Sequence, residues 1–179
     1  MIDYERLSEI ARECGFTHST PLDISTLELM QKVRDMCNAQ HCSNYGTSWS
    51  CPPACVPLEE MRERIKGYSQ GIIVQTVGDI EDSYDWEGIM NTGAELKKSF
   101  ALMRGKLIKE NRNILAMGAG VCKLCESCTY PDSQCRFPDR MEISMEAYGL
   151  LVSKVCKDNG LAYNYGPDKI AFTACFLMR

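Results

Sequence analysis

Histidine is nearly absent from this chain: His18 and His41 are the only two in 179 residues. That scarcity argues against a histidine-rich catalytic metal site and against a Ser-His-Asp triad. There is no G-x-G-x-x-G and no P-loop; Gly118-Ala119-Gly120 is too short a match to count as a phosphate cradle. No apolar run approaches the ~18 residues of a membrane helix; the longest are Ile114 to Cys122 and Ala171 to Met178. Runs of Lys or Arg are missing too, and a net charge of -4 gives no electrostatic footprint for nucleic acid or an anionic membrane. The start, Met1-Ile2-Asp3-Tyr4-Glu5-Arg6, lacks the basic and apolar regions of a secretory signal, so the expectation is a cytoplasmic protein.

What the chain does have is cysteine. Of its 11, four lie between Cys37 and Cys55 and four between Cys122 and Cys135. Cytoplasmic thiols stay reduced, and an odd total cannot pair completely, so the two groups read as metal ligands rather than a disulfide framework.

The periodicity around them predicts an α/β protein: one compact domain over residues 1–179, with a small central sheet flanked by helices and cysteine-rich loops at 37–57 and 118–138. Tyr4, Leu7, Ile10 and Cys14 form a first helical stripe closed by Gly15. An extended piece follows around Phe16 to Leu22. Ser25-Thr26-Leu27-Glu28 matches a capping box ahead of Leu29, Val33 and Met36. Pro52, Pro53 and Pro57 exclude a long helix or central strand through the first cysteine loop. Pro57 suits the opening of a helix carrying Leu58, Met61, Ile65 and Tyr68. Ile72 to Val77 is the clearest strand, and Gly93, Leu96, Phe100, Met103 and Leu107 mark a long amphipathic helix to about Asn111. A strand at Asn113 to Met117 leads into the second loop. A helix over about Ile143 to Asp158, with Met145, Gly149, Val152 and Cys156 on one face, and a strand at Ile170 to Leu177 complete the expectation.

The second group reads Cys122-x2-Cys125-x2-Cys128-x6-Cys135. Three cysteines at every third residue let a short loop wrap a cubane, with the fourth ligand from farther along, as in bacterial ferredoxins. A tetrahedral zinc site takes two knuckle pairs, for which a third cysteine two residues on is surplus. Here the fourth spacing is six rather than three, so Cys135 is assigned to the same cluster. The first group reads Cys37-x4-Cys42-x8-Cys51-x3-Cys55, an irregular spacing common among cubane ligands and uncommon in zinc fingers. His41 reads as an exposed or neighbouring imidazole, since four cysteines already complete a site. Trp49 and Tyr45 read as shields against water, and Lys123 or Arg136 as cations offsetting cluster charge. Asp79, Glu81, Asp82, Asp85 and Glu87 lack calcium-loop spacing and read as a solvated loop. Cys14, Cys156 and Cys175 fall on apolar stripes and read as core.

Several stretches resemble a known family. They are Cys37 and Cys42, Tyr45-Gly46, Trp49-x-Cys51-Pro52-Pro53, Glu81-Asp82-Ser83, Gly118-Ala119-Gly120-x-Cys122, Cys128-Thr129-Tyr130-Pro131, Cys135-Arg136-Phe137-Pro138 and Ser144 to Gly149. Together they resemble the small cysteine-rich proteins, mostly of anaerobic bacteria and archaea, called predicted metal-binding proteins. The resemblance runs from about Arg34 to Phe176. It implies metal binding, iron–sulfur in kind, and no particular reaction. Many members place a cysteine where this chain has Met61 rather than at Cys55.

Three functions fit these features. The first is a cytoplasmic protein with two 4Fe–4S clusters, held by Cys37, Cys42, Cys51 and Cys55 and by Cys122, Cys125, Cys128 and Cys135, passing electrons to a redox partner in anaerobic metabolism. The second is an enzyme with an open iron on one cluster, and the third is a zinc-stabilised interaction module. No nucleic-acid or membrane partner is expected.

Overall fold

The structure is a computed structural model that describes residues 3–110 and 113–179. Met1 and Ile2 of the charged start, and the expected helix end at Asn111, lie outside the described residues.

Two ten-residue strands, β2 (Gln70–Asp79) and β5 (Lys169–Met178), pair antiparallel along their whole length, Gln70 opposite Met178 and Asp79 opposite Lys169. The sheet grows outward from this pair. β1 (His18–Pro21) adds antiparallel to β2, β3 (Ile114–Gly118) adds antiparallel to β5, and the two-residue β4 (Ile143–Ser144) lies parallel to β3. The order is β1-β2-β5-β3-β4, a five-stranded mixed sheet.

Strand alternation divides the core in two. Ile72, Val74, Ala174, Phe176 and Met178 point to one face, where α1 (Tyr4–Glu13) and α4 (Trp86–Lys109) cover them with Leu7, Ile10, Leu96, Phe100, Met103 and Leu107. The Phe100 and Phe176 rings stack there with centroids 4.9 Å apart. Ile73, Cys175 and Leu177 point the other way, onto Met61 and Ile65 of α3 (Leu58–Ile65) and Val155 of α5 (Val152–Asp158). Burial on both faces explains why β2 reads as an unbroken apolar run rather than an alternating one. The three cysteines expected in the core are there: Cys14, Cys156 and Cys175 are all buried.

The acidic stretch does local work as a helix start. Asp85 caps α4, accepting the N–H groups of Gly88 at 2.9 Å and Glu81 at 3.1 Å, which hold its carboxyl below the usual carboxylate range. Asp23, not Ser25, caps the next turn, a single 3-10 turn at Ile24–Thr26. The helix expected behind it shrinks to α2 (Gln31–Asp35), because Met30 is extended and donates its N–H to the Gly149 carbonyl at 2.8 Å.

The expected helix over residues 143–158 is corrected. Ile143 and Ser144 pair with β3, residues 145–149 form a turn, and only Val152–Asp158 is helical. Gly149 breaks the stripe: its φ of +75° is left-handed, and a Cβ there would stand 2.8 Å from the Met30 carbonyl oxygen. Gly160, which ends α5 with φ +71°, faces open space. In urea unfolding, Gly160→Ala is therefore expected to cost about 1 kcal/mol for the left-handed backbone alone. Gly149→Ala is expected to cost more than about 2 kcal/mol, because a backbone atom must also move. Equal losses would contradict the packing at Gly149.

Candidate metal centre

Both cysteine groups occupy irregular loops that leave and re-enter regular structure. The first joins α2 to α3; the second joins β3 to its parallel neighbour β4. All 11 cysteines are free thiols.

In the first loop, local bonds set the cysteines in order. Cys42 N–H donates to the Asn38 carbonyl at 2.9 Å, and Gly46, with φ +67°, donates to the Pro52 carbonyl at 2.8 Å. Cys55 N–H reaches the Cys51 carbonyl at 3.0 Å, so these two cysteines lie one helical turn apart. Arg34 fastens the loop. Its guanidinium donates to the carbonyls of Val56 (3.1 Å), Cys55 (3.2 Å) and Ala147. Cys37, Cys42 and Cys51 are half-buried, whereas Cys55 is 4% exposed and packs in the α3-side core with Met61, itself fully buried. Burial first of all pushes the Cys55 thiol up to about 11, with Arg34 pulling the other way. Burial likewise raises Cys37, helped by the nearby Cys42 thiol and Glu146 carboxyl.

The second loop holds four thiols on one surface. Cys122, Cys125, Cys128 and Cys135 all line a single pocket. Within the loop, Arg136 donates to the Ser127 carbonyl at 2.8 Å and Thr129 Oγ1 to the Gln134 carbonyl at 2.8 Å. From α4, Lys97 Nζ donates to the Val121 carbonyl at 2.9 Å and pairs with the buried Glu142 at 3.4 Å. Arg104 donates to the carbonyls of Asp139 and Arg140, closing the loop's far end.

The two loops touch. Ser50 Oγ accepts the Cys122 N–H at 3.1 Å and lies 3.8 Å from Cys51 Sγ, so one buried hydroxyl meets both groups. Ser48 supports it, with a 2.7 Å bond between the two hydroxyls. The Trp49 indole N–H donates to the Ser133 carbonyl at 3.0 Å, and its ring meets Tyr130 edge-on at 5.0 Å. Ser48, Trp49 and Ser50 also form part of the pocket wall beside the second group's thiols.

The side chains singled out by sequence take these places. Tyr45 is exposed, and Trp49, half-buried, joins loop to loop. Arg136 braces the backbone, while Lys123 is exposed. His41 is exposed and bonded to Asn38 Oδ1 at 2.9 Å. Arg34, Ser48, Ser50 and Lys97 were given no role by the sequence reading, and Glu146 entered it only as part of the resembling stretch Ser144 to Gly149; a further visible signal was the pair of small hydroxyls in Ser48-Trp49-Ser50-Cys51.

Among the described residues, no three His, Cys, Asp or Glu side chains converge on a single ion. The donor set is nevertheless chemically specific. Four thiols on one pocket wall, beside a second group of thiols, suit soft metals: zinc, copper(I) or an iron–sulfur cluster. A cluster binds each protein sulfur at a different iron, so it does not require the thiols to meet at one point.

Fold and side chains thus define a class, a small α/β protein with a thiol-lined pocket between two cysteine-rich loops. The chain belongs to the family described as predicted metal-binding protein (DUF2284), whose model matches residues 20–178. No curated protein and no solved structure matches it. Among the described residues no helix is long and apolar enough to cross a membrane.

Two substitutions test the fastening of the loops. Arg34→Met, which strips three carbonyls of a charged donor, is expected to lower unfolding free energy by about 2–3 kcal/mol. Ser50→Ala leaves the Cys122 N–H without its acceptor and is expected to cost about 1–2 kcal/mol in the same urea titration. A loss below about 0.5 kcal/mol for either would remove that contact from the loops' support.

Proposed function

We propose that this protein binds two 4Fe–4S clusters and passes single electrons between them and a partner protein, in the cytoplasm and in anaerobic metabolism. One cluster belongs to the first group, Cys37, Cys42 and Cys51, with Cys55 as the fourth cysteine by spacing. The other belongs to Cys122, Cys125, Cys128 and Cys135. The observation that carries the reading is the shared pocket wall: the second group's four thiols face a space also bounded by Ser48, Trp49 and Ser50 of the first loop.

Two further features support it. Three cysteines at every third residue match cubane wrapping better than paired zinc knuckles. The Ser50 hydroxyl, bonded to Cys122 N–H and close to Cys51 Sγ, gives the two groups a direct hydrogen-bonded connection. Bound clusters would supply one-electron chemistry at potentials set by burial and by hydrogen bonds to sulfur. The chain's own part is to hold the thiols, exclude water with Trp49 and Tyr130, and set positive charge near them through Arg34 and Lys97.

Anaerobic purification followed by metal and acid-labile sulfide analysis tests the proposal. About eight iron and eight sulfide per chain are expected, with an EPR signal that appears on dithionite reduction and vanishes on reoxidation. Stoichiometric zinc without sulfide would overturn it in favour of a zinc-stabilised module.

A further inference from the structure

The α2–α3 loop borders a second cavity, of about 340 Å³, lined by Cys37 and Cys42 and reached from the second loop by Gly120. Its wall is apolar at Val33, Met36, Leu150, Leu151 and Val152, and polar at Cys37, Cys42 and Glu146. Glu146 is the unusual member. Its Oε2 atom is shielded from solvent and has no hydrogen-bond partner. A buried carboxylate oxygen without a donor costs free energy, and such atoms are rare unless something else answers their charge. The turn that carries it is tightly specified: Arg34 holds the neighbouring Ala147 carbonyl, and Ser144 Oγ accepts the Ala147 N–H at 3.1 Å. The carboxylate is therefore held facing the cavity that both thiols line, near enough for its charge to act on Cys37.

Cys55 stands in contrast. It is 4% exposed, against the half-buried Cys37, Cys42 and Cys51, belongs to the same α3-side core cluster as Met61, Ile65 and Leu177, and, like Cys51, is not part of this cavity wall. Spacing made it the fourth ligand; its surroundings are those of a small hydrophobe.

We propose that Glu146 is a metal ligand: its carboxylate, with the thiolates of Cys37, Cys42 and Cys51, holds the first centre, and Cys55 remains a core residue. This rests on the first centre being a metal site. A single oxygen donor among thiolates is the harder and more weakly held ligand for iron, so it marks the position a small oxygen- or nitrogen-donor molecule entering the cavity would displace.

The test uses the full chain, reconstituted anaerobically, with iron, sulfide and EPR as readouts. Glu146→Gln keeps size and shape but is a poorer donor; it is expected to lower iron to about half, by loss of one of two clusters, or to shift the EPR spectrum of one centre. Glu146→Cys is expected to restore iron with an altered spectrum, which separates ligation from a folding defect. Cys55→Ala is expected to leave both iron and spectrum unchanged. Wild-type iron and spectrum in Glu146→Gln, or loss of a centre in Cys55→Ala, would overturn the inference. If wild-type protein holds no sulfide, the iron–sulfur reading fails by itself, and Glu146 is then judged by the same comparison on whichever metal the protein does hold: retention of that metal by Glu146→Gln overturns the assignment, and its loss upholds it.

Discussion

Irregular loops cannot satisfy their backbone carbonyls through a helix or a ladder, and around the cysteines that task falls to cationic side chains. Arg34 donates to Cys55, Val56 and Ala147; Lys97 to Val121; Arg104 to Asp139 and Arg140; Arg136 to Ser127. Three of the four stand outside the two cysteine groups, Arg34 at the end of α2 and Lys97 and Arg104 on α4, so the shape of the loops is inherited from regular structure. The same contacts leave positive charge next to groups that become negative when thiols deprotonate. In a chain of net charge -4 with eight cysteines in two loops, such cations would offset the charge of any thiol that deprotonates to bind metal. Structural bracing and electrostatic preparation are here one set of bonds.

The sheet explains why two loops far apart in sequence share a wall. β3 lies beside β5, and β4 lies beside β3, so the second loop must begin and end at the same edge of the sheet. α3 packs on the face that receives Met117 and Ile143 from those strands, and it draws the end of the first loop there through Cys55 and Met61. Arg34 then ties α2 to the turn after β4 through Ala147. Ser50 and Trp49 meet Cys122, Ser133 and Tyr130 as a result of that geometry.

Where residue pattern and local physics agreed, the sequence was readable. Leu96, Phe100, Met103 and Leu107 were legible as one buried stripe because a 24-residue helix repeats its signal many times. The two cysteine groups were legible because their spacing is itself chemistry. The helix expected over residues 143–158 was not, since Met145 and Val152 keep a helical interval while Gly149 takes a left-handed φ to let Met30 approach, a demand set by tertiary packing. Cys55 shows the same limit: its spacing matches a ligand, while its burial in the same core cluster as Met61, Ile65 and Leu177 was not legible from spacing. Arg34 and Glu146 fell within the family resemblance, but their roles were not legible, because those depend on a partner 113 residues away and on a cavity assembled from four segments.

Buried polar groups elsewhere in the protein set the standard against which Glu146 is judged. Gln75 is fully buried in the central strand β2, and every part of its amide is used: Nε2 donates to the Ala162 carbonyl at 2.9 Å and to Thr173 Oγ1 at 3.1 Å, and Oε1 accepts from Tyr165 at 2.7 Å. Among the described residues the buried side-chain atoms without a partner are Thr76 Oγ1, Arg104 Nε and Glu146 Oε2. A hydroxyl orphan is cheap, and Arg104 spends its other two nitrogens on loop carbonyls. Glu146 is the one carboxylate among them, and it faces a cavity with two thiols. A protein that fully satisfies an amide in its central strand yet leaves a carboxylate oxygen bare in a cavity shared with Cys37 and Cys42 has an unanswered negative charge there, and in the proposed centre the metal would answer it.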